Sequence, residues 1–193
     1  MNRHKFDTLF DNLYNVLFNT NEGLEIIKEE KPLHEAALIV VLVSVLDNLV
    51  SMNVFQTSNV FLTSLSLVFT AIMGLLSWLF FAAFFEITSY VFGQSGKMKT
   101  FLTLSGFALV PWLFLATIEL LKNSNNSVFQ FIGIVLGLFI WLRSVILIIK
   151  SLRTTYDLTL TKTVVLMLLP IFGGIILFSW LFGFFYTLMK ILF

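Results

Sequence analysis

Long apolar runs separated by short polar segments dominate this sequence. Five such runs occur, and most are near or above the roughly 20 residues that a helix needs to cross a hydrocarbon core of about 30 Å. They occupy about residues 36–54, 60–92, 103–121, 128–149 and 163–188. The pattern predicts an all-α membrane protein, with a five-transmembrane-helix bundle over residues 36–193.

Residues 1–35 are more polar, and their apolar positions follow helical spacing. The pattern predicts an amphipathic helix, whose apolar face would consist of Phe6, Leu9, Phe10, Leu13 and Leu17. The opposite side carries Asp7, Asp11, Asn12 and Asn15, and its charges are acidic, whereas a helix attracted to anionic lipid would be basic there. Burial of the apolar face must therefore drive any membrane contact. The pattern leaves two arrangements open: along the membrane surface, or packed against the bundle.

The positions of the basic residues predict an orientation. Of the 12 Lys and Arg residues, nine fall on one side of the predicted membrane, two on the other, and Arg143 lies within the fourth run. Basic residues are enriched in cytoplasmic loops. We therefore expect segment 1–35 and the loops after the second and fourth runs to be cytoplasmic, with the C-terminus outside.

Composition narrows the classes of function. The chain is 58% hydrophobic and 12% charged, about half the charged content of soluble domains, which excludes a water-soluble fold. It has no Cys, and its two His residues, His4 and His34, precede the first apolar run, so we expect no metal site and no cofactor. A net charge of +1 gives no reason to expect a nucleic-acid partner.

Two ionisable residues, Glu86 and Arg143, fall at similar depth inside predicted spans. Each lies six residues before the cytoplasmic end of its run, which is about 9 Å along a helix. Because charges are costly in lipid, we predict that Glu86 and Arg143 form an intramembrane ion pair. Such a pair would fix helix register, or Arg143 would instead extend to the interface. A role in handling a ligand, lipid or proton is the other interpretation.

Other polar residues occur nearer the predicted outer side. Asp47, next to Asn48 in the first run, has no basic residue at its level and is expected to face water, a neighbouring hydroxyl or another subunit. Glu119 lies three residues before Lys122, a spacing that predicts a solvated surface pair.

Helix-breaking residues interrupt the third and fifth runs. Pro111 lies inside the third run, and Pro170, Gly173 and Gly174 lie inside the fifth. We expect kinks at these positions. Each proline frees a backbone carbonyl that a neighbouring helix or a Ser or Thr hydroxyl must satisfy.

The predicted spans lack the residue sets that membrane enzymes use. They carry no Ser with His, no facing Asp pair and no clustered carboxylates for Mg²⁺, which are the groups needed for hydrolysis or lipid-phosphate chemistry. No Walker loop or H-E-x-x-H motif is present. We therefore predict no catalytic residues and no enzymatic activity.

The order of loops and prolines resembles the Yip1-domain family. The similarity is strongest from Phe92-Gly93 through Lys99-Thr100 to the segment Gly106 to Pro111, and it continues in Trp141, Arg143 and Ser144 and then Thr161-Lys162-Thr163. Eukaryotic members act in vesicle trafficking and associate with Rab-type GTPases. Their Asp-Leu-Tyr-Gly-Pro signature is missing here, where the nearest string is Asp11-Asn12-Leu13-Tyr14. The resemblance therefore implies a bacterial inner-membrane member, without a Rab-type GTPase partner.

These observations favour a non-enzymatic scaffold or accessory subunit of a membrane assembly, related to membrane organisation, trafficking or export. Its expected partners are the lipid bilayer and another membrane protein or a second copy of itself, with an export complex as one possibility. The alternative function is a small transporter, channel or lipid-translocating protein that uses Asp47, Glu86 and Arg143 along a polar path.

Overall fold

The computed structural model describes residues 3–51, 60–94, 96–169, 172, 175, 179–180 and 182, and its regular elements are helices. The long helices lack Gly and Pro over most of their length, so their backbone N–H and C=O groups can be hydrogen-bonded within each helix, as a bilayer requires. Their side chains are rich in Leu, Ile, Val and Phe. The α-helices are α1 (Arg3–Phe18), α2 (Thr20–Glu30), α3 (Leu33–Ser51), α4 (Val60–Ser89), α5 (Met98–Phe107), α6 (Leu115–Lys122), α7 (Ser127–Tyr156) and α8 (Leu160–Leu169).

Within the described residues, four segments are long and apolar enough to cross a membrane. They are Leu33–Val50, Val60–Phe92, Met98–Lys122 and Ser127–Tyr156. The predicted fifth span, 163–188, lies mostly outside the described residues, as do the kinks expected at Pro170, Gly173 and Gly174; helix α8 covers only its start. Helix α7 continues to Tyr156, beyond the predicted end of the fourth span at residue 149.

Helix α5 lies at the centre of the bundle. Every side chain from Thr100 to Phe107 is buried, and α5 contributes to both apolar clusters of the core. One cluster joins α5 to α1, α2, α3 and α7, and the other joins it to α4, α7 and α8. The helices approach closely at Gly106, where an added Cβ would lie 2.8 Å from the Cβ of Ala36 in α3.

The first two helices form a hairpin that packs on the bundle. Val16 of α1 and Leu24 and Ile27 of α2 are at most 1% exposed, within the cluster that includes α3 and α5. The predicted apolar face is only partly correct. Leu9, Leu13 and Leu17 pack against the cluster, but Phe10 is 66% exposed, and the side chain of Phe6 lies outside the described part.

The buried side of α1 is rotated from the predicted one, and a polar residue lies on it in the contact with α3. Asn12, expected on the polar face, is buried and donates from Nδ2 to Oε2 of Glu35 at 3.2 Å. Phe10 turns outward with Tyr14 and Phe18, all at i, i+4 spacing and more than half exposed. Aromatic side chains of this kind are common at membrane interfaces.

A break in the third span occurs at Pro111. Helix α5 ends at Phe107, a 3₁₀ turn covers Val110–Phe114, and α6 follows. In this turn the Trp112 N–H donates to the carbonyl of Leu109 rather than to that of Ala108. The Ser144 hydroxyl of α7 donates to the Ala108 carbonyl at 3.1 Å. A neighbouring helix thus satisfies the carbonyl that the break frees.

Candidate functional site

The Glu86 carboxylate binds the loop that follows α4. Glu86 is 8% exposed, and its Oε1 accepts hydrogen bonds from the backbone N–H groups of Gly96 and Lys97, the latter at 3.2 Å. Its Oε2 accepts from the Tyr156 hydroxyl at the end of α7, at 2.8 Å. One carboxylate therefore connects α4, the loop and α7.

The loop reaches this carboxylate through two glycines in the left-handed region. Gly93 has φ of 72° and Gly96 has φ of 73°, a conformation that costs little for glycine and more for other residues. The turn at Gly96 presents its N–H to Glu86. The glycines of the 93–97 loop thus allow the backbone to wrap around a buried acid.

Arg143 binds the junction between α1 and α2. Its Nη2 donates to the Leu17 carbonyl and to the Thr20 hydroxyl, both at 2.7 Å. The last carbonyls of a helix lack intrahelical partners and attract a cation. Arg143 thus caps the C-terminus of α1 and fixes the hairpin to α7.

The ion pair predicted between Glu86 and Arg143 is not present in the structure. Among the described residues, neither side chain forms a salt bridge, and their hydrogen bonds go to different segments. The prediction is wrong because the two residues lie at different levels: Glu86 contacts Tyr156, which is 13 residues beyond Arg143 in the continuous helix α7, or about 20 Å along its axis. Each charge is instead hydrogen-bonded locally.

An exposed network of three charged residues connects the α1–α2 hairpin to the loop that binds Glu86. Asp157, directly after α7, accepts from Lys97 Nζ at 2.7 Å and from Lys28 Nζ at 3.1 Å. These hydrogen bonds, chiefly that from Lys97, hold the pKa of Asp157 below its ordinary value. Lys28 belongs to α2 and Lys97 to the loop after α4, so Asp157 bridges both.

The lowered pKa of Asp157 predicts an acid-dependent contribution to stability. A depressed carboxyl pKa stabilises the fold above the unfolded value of about 3.9, and this is lost as pH falls through the folded pKa. We expect Asp157→Asn to lower Tm slightly at pH 7, because the Asp157 side chain is exposed, and the difference from the parent protein to shrink as pH falls below about 4. Thermal unfolding in detergent across pH 3–7 measures this, with Asp11→Asn as control. A difference that grows toward low pH would contradict the assignment.

Polar residues on the predicted outer side do not converge on Glu86 or Arg143. Asp47 is exposed and lines a pocket of about 530 Å³ together with Glu119 and Lys122. Glu119 and Lys122 form an ion pair at 2.6 Å, as their spacing predicted. Asn48 donates to the Thr70 hydroxyl of α4 at 2.8 Å. Asn48 thus connects α3 to α4, while Asp47 has no salt-bridge partner among the described residues.

The sequence did not predict several residues that contact Glu86, Arg143 or the α1–α2 hairpin. Tyr156, Asp157 and Lys150 follow the predicted end of the fourth span, yet Tyr156 and Lys150 are helical and Asp157 is the helix cap. The absence of Gly and Pro between residues 150 and 156 was the available signal that the helix continues. Asn12 was missed because it was assigned to the solvated face.

Comparison with known proteins agrees with this architecture. The Yip1 domain family model matches residues 14–181, which is most of the chain. No curated protein and no solved structure matches the chain. The match covers the α2–α7 segment that carries the contacts of Glu86 and Arg143, together with the last turn of α1. The chain therefore belongs to the Yip1 domain family and is a multi-pass integral membrane protein.

Proposed function

We propose that the chain is a non-enzymatic scaffold or accessory subunit that presents the α1–α2 hairpin as a fixed surface on one side of a membrane. The observation that carries this proposal is that its two charged residues Glu86 and Arg143 bind segments of the backbone. Glu86 binds the 93–97 loop and Tyr156, and Arg143 binds the α1–α2 junction. Both hold backbone segments in place. The family is in general non-enzymatic, which supports the same function.

The outward face of the hairpin is acidic. Glu22, Glu25 and Glu29 are exposed on α2, on the side away from the buried Leu24 and Ile27. Their i, i+3, i+7 spacing places them on one face. A partner with a basic surface would complement this face electrostatically. By the positive-inside pattern the face is cytoplasmic.

The rival function, transport along Asp47, Glu86 and Arg143, finds less support. Asp47 lines one pocket and Arg143 lines two others, and these pockets have no residue in common with that of Asp47. Glu86 is buried and fully engaged by a loop and a hydroxyl. Reconstituted liposomes should therefore show no protein-dependent movement of ions, solutes or lipids. Transport that Asp47→Asn abolishes would favour the rival function.

Photo-crosslinking tests the presented surface. A photoreactive residue at Glu25 or Glu29, in cells of the source organism, is expected to give one discrete adduct of higher mass. The same residue at Leu120, which is 74% exposed on α6, is the control and should not give that adduct. Identical products from α2 and Leu120, or none from α2, would contradict the proposal.

If the crosslinked adduct forms through a specific contact rather than random collision, it should depend on the docking of the hairpin. Gly23 lies so close to α1 that an added Cβ would be 2.7 Å from the backbone carbon of Asn15. We expect Gly23→Leu to displace α2 and to reduce the adduct from Glu29 strongly. The outer ion pair of Glu119 and Lys122 is remote from this contact, so Glu119→Gln should leave the adduct unchanged. An adduct that is indifferent to Gly23→Leu would count against the fixed-surface role.

A further inference from the structure

A polar pocket and an apolar groove meet at Arg143. The pocket has a volume of about 500 Å³ and the groove one of about 560 Å³, and Phe18 and Arg143 line both. Lys150 lines the polar pocket, two helical turns beyond Arg143 on α7. The two cavities are therefore one continuous surface feature with a charged part and an apolar part.

The charges of the polar pocket favour a single anion. Arg143 and Lys150 contribute two positive charges and Glu22 one negative charge, so the lining carries a net charge of +1. Arg143 uses only Nη2 for its bonds to Leu17 and Thr20, and its guanidinium carries five donors in total. Lys150 Nζ donates to Asn21 Oδ1 at 2.9 Å and is an ammonium with three donors. Both cations retain donors for a phosphate.

The apolar groove continues from Arg143 toward the middle of the predicted span. Phe114, Phe139, Leu142 and Ile146 line it, and each is 45–65% exposed. On α7 the residues 139, 142, 143, 146 and 150 share one face by their spacing. Along that face Phe139 and Leu142 come first, then Arg143, Ile146 and Lys150. This order suits an acyl chain beside Phe139 and Leu142 with its headgroup toward Lys150.

We propose that this site binds an anionic phospholipid with one phosphodiester, such as phosphatidylglycerol. The phosphate lies between Arg143 and Lys150, and one acyl chain lies in the groove beside Phe139 and Leu142. Basic pockets between transmembrane helices on the cytoplasmic side are known to bind anionic headgroups, and Arg pairs strongly with phosphate. The site does not depend on the scaffold role. It would fasten the α1–α2 junction to the inner leaflet.

Native mass spectrometry of the full chain in detergent tests this site. After delipidation, phosphatidylglycerol or phosphatidylcholine is added at equal concentration, and bound lipid is counted. We expect more phosphatidylglycerol to bind. Lys150→Gln should weaken that binding about tenfold, which corresponds to about 1.4 kcal/mol, and should leave phosphatidylcholine binding unchanged. Because Lys150 makes one hydrogen bond, to Asn21, this variant is expected to fold.

Arg153→Gln is the matched control, since Arg153 is exposed one turn beyond Lys150 and lines neither cavity. Equal losses in Lys150→Gln and Arg153→Gln would overturn the proposal, because general attraction to anionic lipid would then explain the binding. Equal binding of both lipids would also overturn it. Glycerol phosphate should not displace the lipid at matched concentration; displacement would assign the pocket to a soluble phosphate instead.

Discussion

Glu86→Ala is expected to remove most of the folded protein. The substitution leaves the Tyr156 hydroxyl and the backbone N–H groups of Gly96 and Lys97 without the carboxylate that binds them. A buried donor left without an acceptor costs about 1–3 kcal/mol. The Tyr156 hydroxyl is such a donor, while the N–H groups of Gly96 and Lys97 are part-buried, so the loss is about 3 kcal/mol, a large part of a typical stability of about 5–15 kcal/mol.

The monodisperse fraction in size-exclusion chromatography and its Tm in detergent measure this loss. Glu119→Gln is the control, since that carboxylate pairs only with Lys122 near the surface, and we expect it to change Tm little. The double substitution Glu86→Arg with Arg143→Glu should not restore folding, because the two side chains bind different segments. Recovery in the double variant would show that they pair after all.

Gly106→Leu is the second change with a severe expected effect. A Cβ at Gly106 would lie 2.8 Å from the Ala36 Cβ and 3.0 Å from the Ala36 carbonyl oxygen. Because backbone cannot yield as a flexible side chain does, α3 and α5 must separate, and overpacking of this kind typically costs about 1–3 kcal/mol. Ala36 and the neighbouring Leu104 and Phe107 belong to the cluster that holds the α1–α2 hairpin, so hairpin docking should be lost with it.

Gly137→Ala provides the matched control for helix packing. Its added Cβ would have its nearest contact at 3.5 Å, with Lys122 Cε, which is ordinary van der Waals distance. Alanine also favours a helix over glycine by about 1 kcal/mol. We expect an unchanged or slightly raised Tm in detergent. If Gly106→Leu and Gly137→Ala behaved alike, close approach of α3 and α5 would not be the cause.

The membrane helices were the most predictable part of the fold. The predicted second span at 60–92 coincides with Val60–Phe92, because uninterrupted apolar length is itself the physical requirement for crossing a bilayer. The end of α7 was less predictable. Lys150 and Arg153 interrupt the apolar run, but the helix continues past them until Asp157 takes a left-handed φ, here 52°.

Side-chain partners were much less predictable than the helices. Counting residues from the end of an apolar run predicted one level for Glu86 and Arg143. It does not give the position of one helix along another, and this position decides that Glu86 meets Tyr156. The hairpin shows a similar limit, because Asn12, in contact with Glu35, lies on the buried side of α1 and Phe10 does not.

If the chain works by holding a fixed surface for another protein, the two should be extracted together. The mass of the assembly taken from native membranes in polymer-bounded lipid particles, corrected for lipid and polymer, measures this directly. We expect a protein mass well above the 22.1 kDa of one chain, falling toward that value in Gly23→Leu and unchanged in Glu119→Gln. A single 22.1 kDa chain in the parent protein, with no second protein present, would contradict the scaffold role.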